Sequence, residues 1–125
     1  MPPECPSGIR VYEGDKIKAT ITYTNQSSET LTCDVIFWVY RIEGDYAYLL
    51  QEGYVKGRTV AAGSSDTVEI TSLYGVPPPS DETPINTYYD LLVAVGRDYD
   101  PTNYTFAEVY AVLECRNVVY YTEPT

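Results

Sequence analysis

Period two is plainest over Lys16–Thr24, where Ile17, Ala19, Ile21 and Tyr23 alternate with Lys16, Lys18, Thr20, Thr22 and Thr24. A strand with one buried and one wet face needs this pattern, because successive side chains point to opposite sides of a sheet. A short apolar piece at residues 9–12 precedes it, closed by Glu13-Gly14-Asp15, and a polar turn at residues 25–28 follows. Residues 33–42, "CDVIFWVYRI", are apolar on both faces and end at a second Glu-Gly-Asp. "YAYLLQEGYVKGRTV" reads as one or two shorter strands broken around Gly53 and Gly57. After the turn "AAGSSD", Val68 and Ile70 alternate with Thr67, Glu69 and Thr71. The longest loop, residues 74–84, holds three consecutive prolines, which forbid helix and donate nothing to a ladder, so a stiff exposed connection is expected. "NTYYDLLVAVGR" and "YTFAEVYAVLEC" supply two long final strands, and "VVYYT" a further piece.

No helical period of useful length occurs, and turn signals recur about every ten residues. The fold class that follows is all-β, an immunoglobulin-like β-sandwich of about seven antiparallel strands. Residues 1–8 read as an N-terminal extension, 9–115 as the sandwich and 116–125 as a tail or extra strand. Trp38 falls in the third strand, where such sandwiches often bury a tryptophan, while the inter-sheet cysteine pair of antibody domains is missing.

With 125 residues the chain is long enough to bury a core as one domain, and its fourteen tyrosines suit pleated surfaces. A net charge of −10 disfavours nucleic acid and anionic membranes, whose phosphates call for clustered Lys and Arg. The absence of histidine removes Ser-His-Asp and Cys-His nucleophiles and histidine-containing zinc sites. No apolar run reaches the ~20 residues of a membrane helix. "MPPECPSG" lacks the basic and apolar regions of a signal peptide, so the chain is expected to be a mature portion, a virion protein, or one not secreted by the usual route. An extracellular surface or a virion is the location expected. Cys5, Cys33 and Cys115 are an odd set; either all three are small buried or terminal residues, or Cys5 and Cys33 pair at one end of the sandwich.

The runs "EGDKIKATITYTNQSSETLTCDVIFWVY", "VAAGSSDTVEI" and "LLVAVGRDYDPTNYTFAEV" resemble the cell-adhesion-related (CARDB-like) β-sandwich domains of bacteria and archaea. The matching positions are Gly14, Asp15, Asn25, Ala62, Gly63, Asp100, Pro101, Asn103 and Glu108, within about residues 9–114. The resemblance implies a non-catalytic structural or adhesive surface module.

Candidate chemistry is sparse. The stretch from Arg97 to Val109 offers Asp98 and Asp100, but Thr102, Asn103 and Val109 stand where an EF-hand needs a carboxylate or amide, Gly and Glu. A looser oxygen site from Asp98, Asp100 and Glu108 is the remaining metal candidate, against a plain hairpin turn. Asn25 ("NQS") and Asn103 ("NYT") are glycosylation triplets. The other carboxylates are scattered, with no facing pair for glycoside hydrolysis. Tyr46, Tyr48, Tyr54, Tyr99 and Tyr104 could stack on sugar rings. Nothing asks for a cofactor.

The outer face of one sheet is the main candidate. With Ile36, Trp38 and Tyr40 inward, Val35, Phe37 and Val39 face out. With Leu91, Val93 and Val95 inward, Leu92 and Ala94 face out. With Ala107, Val109, Ala111 and Leu113 inward, Phe106, Tyr110 and Val112 face out. Such a patch would be more apolar than a monomer normally exposes. It would pack on another copy, a neighbouring domain or the C-terminal tail. The expected role is a non-catalytic contact module: a virion or filament structural protein of the decoration type, or a cell-surface adhesion domain. Its partners would be copies of itself or a larger assembly, with carbohydrate binding as the alternative.

Overall fold

The alternation over Lys16–Thr24 produces a strand whose Ile17, Ala19, Ile21 and Tyr23 are buried while its lysines and Thr20 are exposed. This computed structural model describes residues 3–124. Seven strands follow in order: β1 (Ile9–Val11), β2 (Lys16–Thr24), β3 (Leu31–Glu43), β4 (Tyr46–Val60), β5 (Ser65–Gly75), β6 (Thr87–Arg97) and β7 (Glu108–Tyr121). A five-stranded sheet runs β1-β7-β6-β3-β4, and β2 pairs with β5 in a second sheet. All pairings are antiparallel except β1 with β7. Two facing sheets between which the chain crosses repeatedly, with β2 beside β5 and β3 beside β6, make this an immunoglobulin-like β-sandwich.

The core lies between the sheets. Ile17, Ala19, Ile21 and Tyr23 of β2 and Val68 and Ile70 of β5 meet Val35, Phe37 and Val39 of β3 and Leu91, Val93 and Val95 of β6. Gly53 is where β4 lets Phe37 in: a Cβ there would lie 2.6 Å from the Phe37 ring and 3.0 Å from the Thr71 carbonyl oxygen. β4 runs unbroken through Gly53 and Gly57, where two shorter strands were an option.

The proline-rich loop is exposed over residues 78–82 but anchored at both ends, with Val76 and Thr83 buried. The Tyr89 hydroxyl donates to the Pro84 carbonyl at 2.8 Å, and the Tyr121 hydroxyl donates to that of Pro77 at 2.6 Å. The first is a tyrosine corner, a hallmark of immunoglobulin-like sandwiches placed near the start of the sixth strand. Residues 116–121 are the second half of β7 and pair edge to edge with β6 and β1. The boundary drawn at residue 115 therefore falls inside a strand, and Val118–Tyr121 do not cover the sheet's outer face.

The expected Cys5–Cys33 pair is replaced by Cys5–Cys115, with Cα atoms 5.7 Å apart. The reason is register. In the parallel β1–β7 ladder Ile9 faces Val119, an offset of 110 residues, and that offset carries Cys5 to Cys115. Cys33 is a buried free thiol on β3, and β7 and β6 stand between β1 and β3 in the sheet. A disulfide of this kind forms and persists in oxidising compartments.

Between the sheets' edges, Asp66 accepts two hydrogen bonds from Arg58, at 2.9 and 2.8 Å, and one from the Tyr23 hydroxyl at 2.7 Å. The Arg58 hydrogen bonds, outweighing burial and aided by Tyr23, hold the Asp66 carboxyl below its ordinary value. A carboxyl whose pKa is lower folded than unfolded contributes stability above the unfolded value, near 3.8, and loses it as pH falls through the folded value. Asp66→Asn should therefore unfold with a shallower loss of stability below about pH 4 than the parent. Urea midpoints measured between pH 7 and pH 2.5 check this, and parallel acid limbs would refute it.

Candidate functional site

Antiparallel partners share a face, and this settles which side of β3 is inside. Val35, Phe37 and Val39 pair with Val95, Val93 and Leu91, which are all buried core residues. The assignment expected for β3 is thus inverted: Val35, Phe37 and Val39 are inside, and Ile36, Trp38 and Tyr40 face out. The partners of these three on β6 are Ala94, Leu92 and Asp90. Of the other expected interface residues, Tyr110 packs against the main core, where β7 bulges opposite Val95 and Gly96. Val109, placed inside by simple alternation, is exposed because of the same bulge. Val112 does face out and is 55% exposed.

The β6–β7 loop folds back over part of this outer face. Tyr99 joins Ile36 and Ala94 in a second small apolar cluster, against which Trp38, Tyr54, Leu92 and Phe106 pack. The Tyr99 ring lies 4.8 Å from that of Phe106 and 5.7 Å from that of Tyr54, centroid to centroid. Burial, reinforced by the charge of Glu52, pushes the Tyr99 phenol up to about 12, so it stays protonated. One buried carboxylate pins the loop. Asp34 Oδ2 accepts from the Tyr99 amide at 2.8 Å, while Oδ1 accepts from the Gly57 amide at 2.9 Å. Lys56 completes the clasp, donating to the Tyr99 carbonyl at 2.6 Å with its Nζ 3.6 Å from Asp34.

Beyond the loop the face stays open as a groove. One hollow of about 290 Å³ is lined by Trp38, Leu49, Glu52 and Tyr104. A second, of about 310 Å³, shares Trp38 and Leu49 and continues over Tyr40, Ala47 and Leu92 to Glu114. Tyr104 meets Trp38 edge to face, with ring centroids 6.2 Å apart. Glu114 and Asp90 are both engaged by Arg116, whereas Oε2 of Glu52 is shielded from solvent and has no hydrogen-bond partner. Tyr104 has a φ of +58°, a left-handed conformation that costs a bulky residue energy.

No family model matches the chain, and no curated protein matches it. Among solved structures it is similar to a chain of the CsuC–CsuE chaperone–tip adhesion subunit pre-assembly complex, from archaic chaperone-usher Csu pili of Acinetobacter baumannii. Identity is 10% and the TM-score 0.36, over 92% of this chain and 53% of that one. The chain thus spans about half the length of the one it matches.

The other expected site residues are dispersed. Asp98 and Glu108 both face Arg97, at 3.0 and 3.6 Å, while Asp100 turns inward on its own loop. Its two oxygens accept from the Thr102 amide and the Asn103 side chain, and the first of these leads in lowering its pKa. The three carboxylates do not converge, and no group of three potential metal ligands occurs among the described residues. Asn25 is buried, and its amide nitrogen donates to the carbonyls of Glu29 and Val60, so it is a turn tie with no nitrogen free for a glycan. Asn103 lies on the exposed loop. The five tyrosines form no single platform: Tyr46 and Tyr48 stack at the tip of the β3–β4 hairpin, Tyr54 and Tyr99 belong to the small cluster, and Tyr104 lines the groove. Sequence reasoning passed over Leu49 and Glu52; the opposite parity for β3 would have pointed to them, since Trp38 faces Glu52 across the β3–β4 ladder.

Proposed function

We propose that this is a non-catalytic contact module that presents the outer face of its five-stranded sheet to another protein. The supporting observation is the open groove around Trp38, lined by half-exposed Leu49, on a sheet face that also carries half-exposed Val112 and that the chain's own loop covers only in part. Apolar side chains grouped beside a polar rim mark interaction surfaces. The lack of histidine and the dispersal of the carboxylates leave the face no evident acid–base or nucleophilic machinery. With a disulfide tying the N-terminal segment to β7, the setting that fits is an extracellular one. That setting covers a cell-surface adhesion domain of the CARDB-like kind and a decoration-type component of a virion or filament, packed on copies of itself or in a larger assembly.

The test is a photo-crosslinking residue at Val112, in the cells that make the protein. Covalent protein adducts are expected there and not from Thr20, exposed on the opposite sheet. Adducts absent at 112, or equal at both positions, would remove the reading. The pairing of Trp38 and Tyr104 beside a carboxylate also favours a second reading, a carbohydrate module, for which saturable binding on a glycan array is the check.

A further inference from the structure

We infer that the groove lined by Trp38, Leu49, Glu52 and Tyr104 receives a cationic side chain, a lysine or arginine, of a partner protein. The inference rests on the contact-module reading and supplies the chemistry of the partner. Three observations carry it.

The first is the state of Glu52. A carboxylate oxygen withdrawn from water without a hydrogen bond is costly, and a cation placed beside the carboxylate offsets that cost through its charge. Oε2 of Glu52 is such an atom, and the residue forms one wall of the groove. Arg116 is turned to Glu114 and Asp90, so it does not serve this need.

The second is the aromatic pair. Indole and phenol faces attract cations through their quadrupoles, and the attraction grows as water is excluded. Trp38 and Tyr104 meet at 74° between planes, so the two rings and the carboxylate wall a hollow from different directions. Leu49, 48% exposed, offers apolar surface for the aliphatic stem of a lysine or arginine. A second acidic residue, Glu114, stands at the far end of the same groove.

The third is the backbone of Tyr104. A tyrosine held at φ +58° is strained, yet its side chain is half exposed and fills no core. That strain closes the turn between Asp100 and Thr105 and holds the ring edge to face with Trp38 at the groove, an arrangement that points to a binding role. Net charge favours the same occupant: at −10 the chain attracts a basic segment.

Trp38 is the sole tryptophan of the chain, so its fluorescence reports the groove directly. The full chain is titrated with N-acetyl-arginine methylamide and N-acetyl-lysine methylamide at constant ionic strength, with N-acetylglucosamine as the neutral comparison. Saturable changes are expected for the two cations, with affinity about tenfold weaker in Glu52→Gln, which keeps shape but not charge. Tyr104→Gly should also weaken binding while melting at or above the parent temperature, because glycine accepts the left-handed backbone. Unsaturable responses to the cations, a Glu52→Gln curve superimposable on the parent, or saturation by the sugar alone would each overturn the inference. A blank titration with adducts still forming at position 112 overturns the cationic occupant only; a blank in both removes the contact module as well.

Discussion

Replacing Cys5 and Cys115 together by serine is expected to lower the unfolding free energy by about 4 kcal/mol, with a fall in melting temperature of roughly 15 °C. The bond joins residues 110 apart, so in the unfolded chain it restrains nearly the whole length. The folded state loses as well. β1 is three residues long and is held to β7 by a short parallel ladder, and among the described residues before it one backbone tie stands outside the ladders, from the Glu4 amide to the Thr22 carbonyl. Without the bond, β1 should open before the rest of the sandwich. Urea unfolding with and without reductant, alongside amide exchange at residues 9–11, measures both effects. A midpoint insensitive to reductant would contradict this reading of the N-terminal segment.

Asp34→Ala should cost about 3 kcal/mol, the scale of several hydrogen bonds to a charged acceptor lost at once. The substitution orphans the amides of Gly57 and Tyr99 and leaves Lys56 without its carboxylate. The loss is also directional. Asp34 is what holds the β6–β7 loop down, so Tyr99 and Phe106 should lift from Ile36 and Ala94 and the outer face should become more apolar. Faster exchange of the Tyr99 amide and increased binding of a hydrophobic dye are the expected signatures. Unchanged Tyr99 protection alongside a normal urea midpoint would show that the loop is held by its rings alone.

How much could be read beforehand differs from strand to strand. On β2 the polar partners of Ile17, Ala19, Ile21 and Tyr23 cannot be buried without penalty, so the inner face was unambiguous. On β3 it was not, because both faces carry apolar side chains. The structure explains why: the inner row packs in the core, and the outer row is covered by Tyr99 or lines the groove. Once β6 is aligned beside β3 the ambiguity disappears, but that alignment is a long-range fact. Asn25 misled for a related reason. A polar turn looks exposed from its composition, whereas here the side chain closes the turn from within.

The loop from Arg97 to Val109 shows the same division. Its turn chemistry was legible, and Asp100, Thr102 and Asn103 do cap one another. That the loop also bends over the sheet and sets Tyr104 beside Trp38 depends on Asp34, 65 positions from Tyr99 in the chain. By itself, then, the sequence determined the all-β class, the strand succession and the buried face of β2, because period and turn residues act over a few neighbours. The tertiary structure alone decided the Cys5–Cys115 bond, the inner face of β3 and the groove. Each of these follows from register between strands distant in sequence, where the pattern within any one strand is silent.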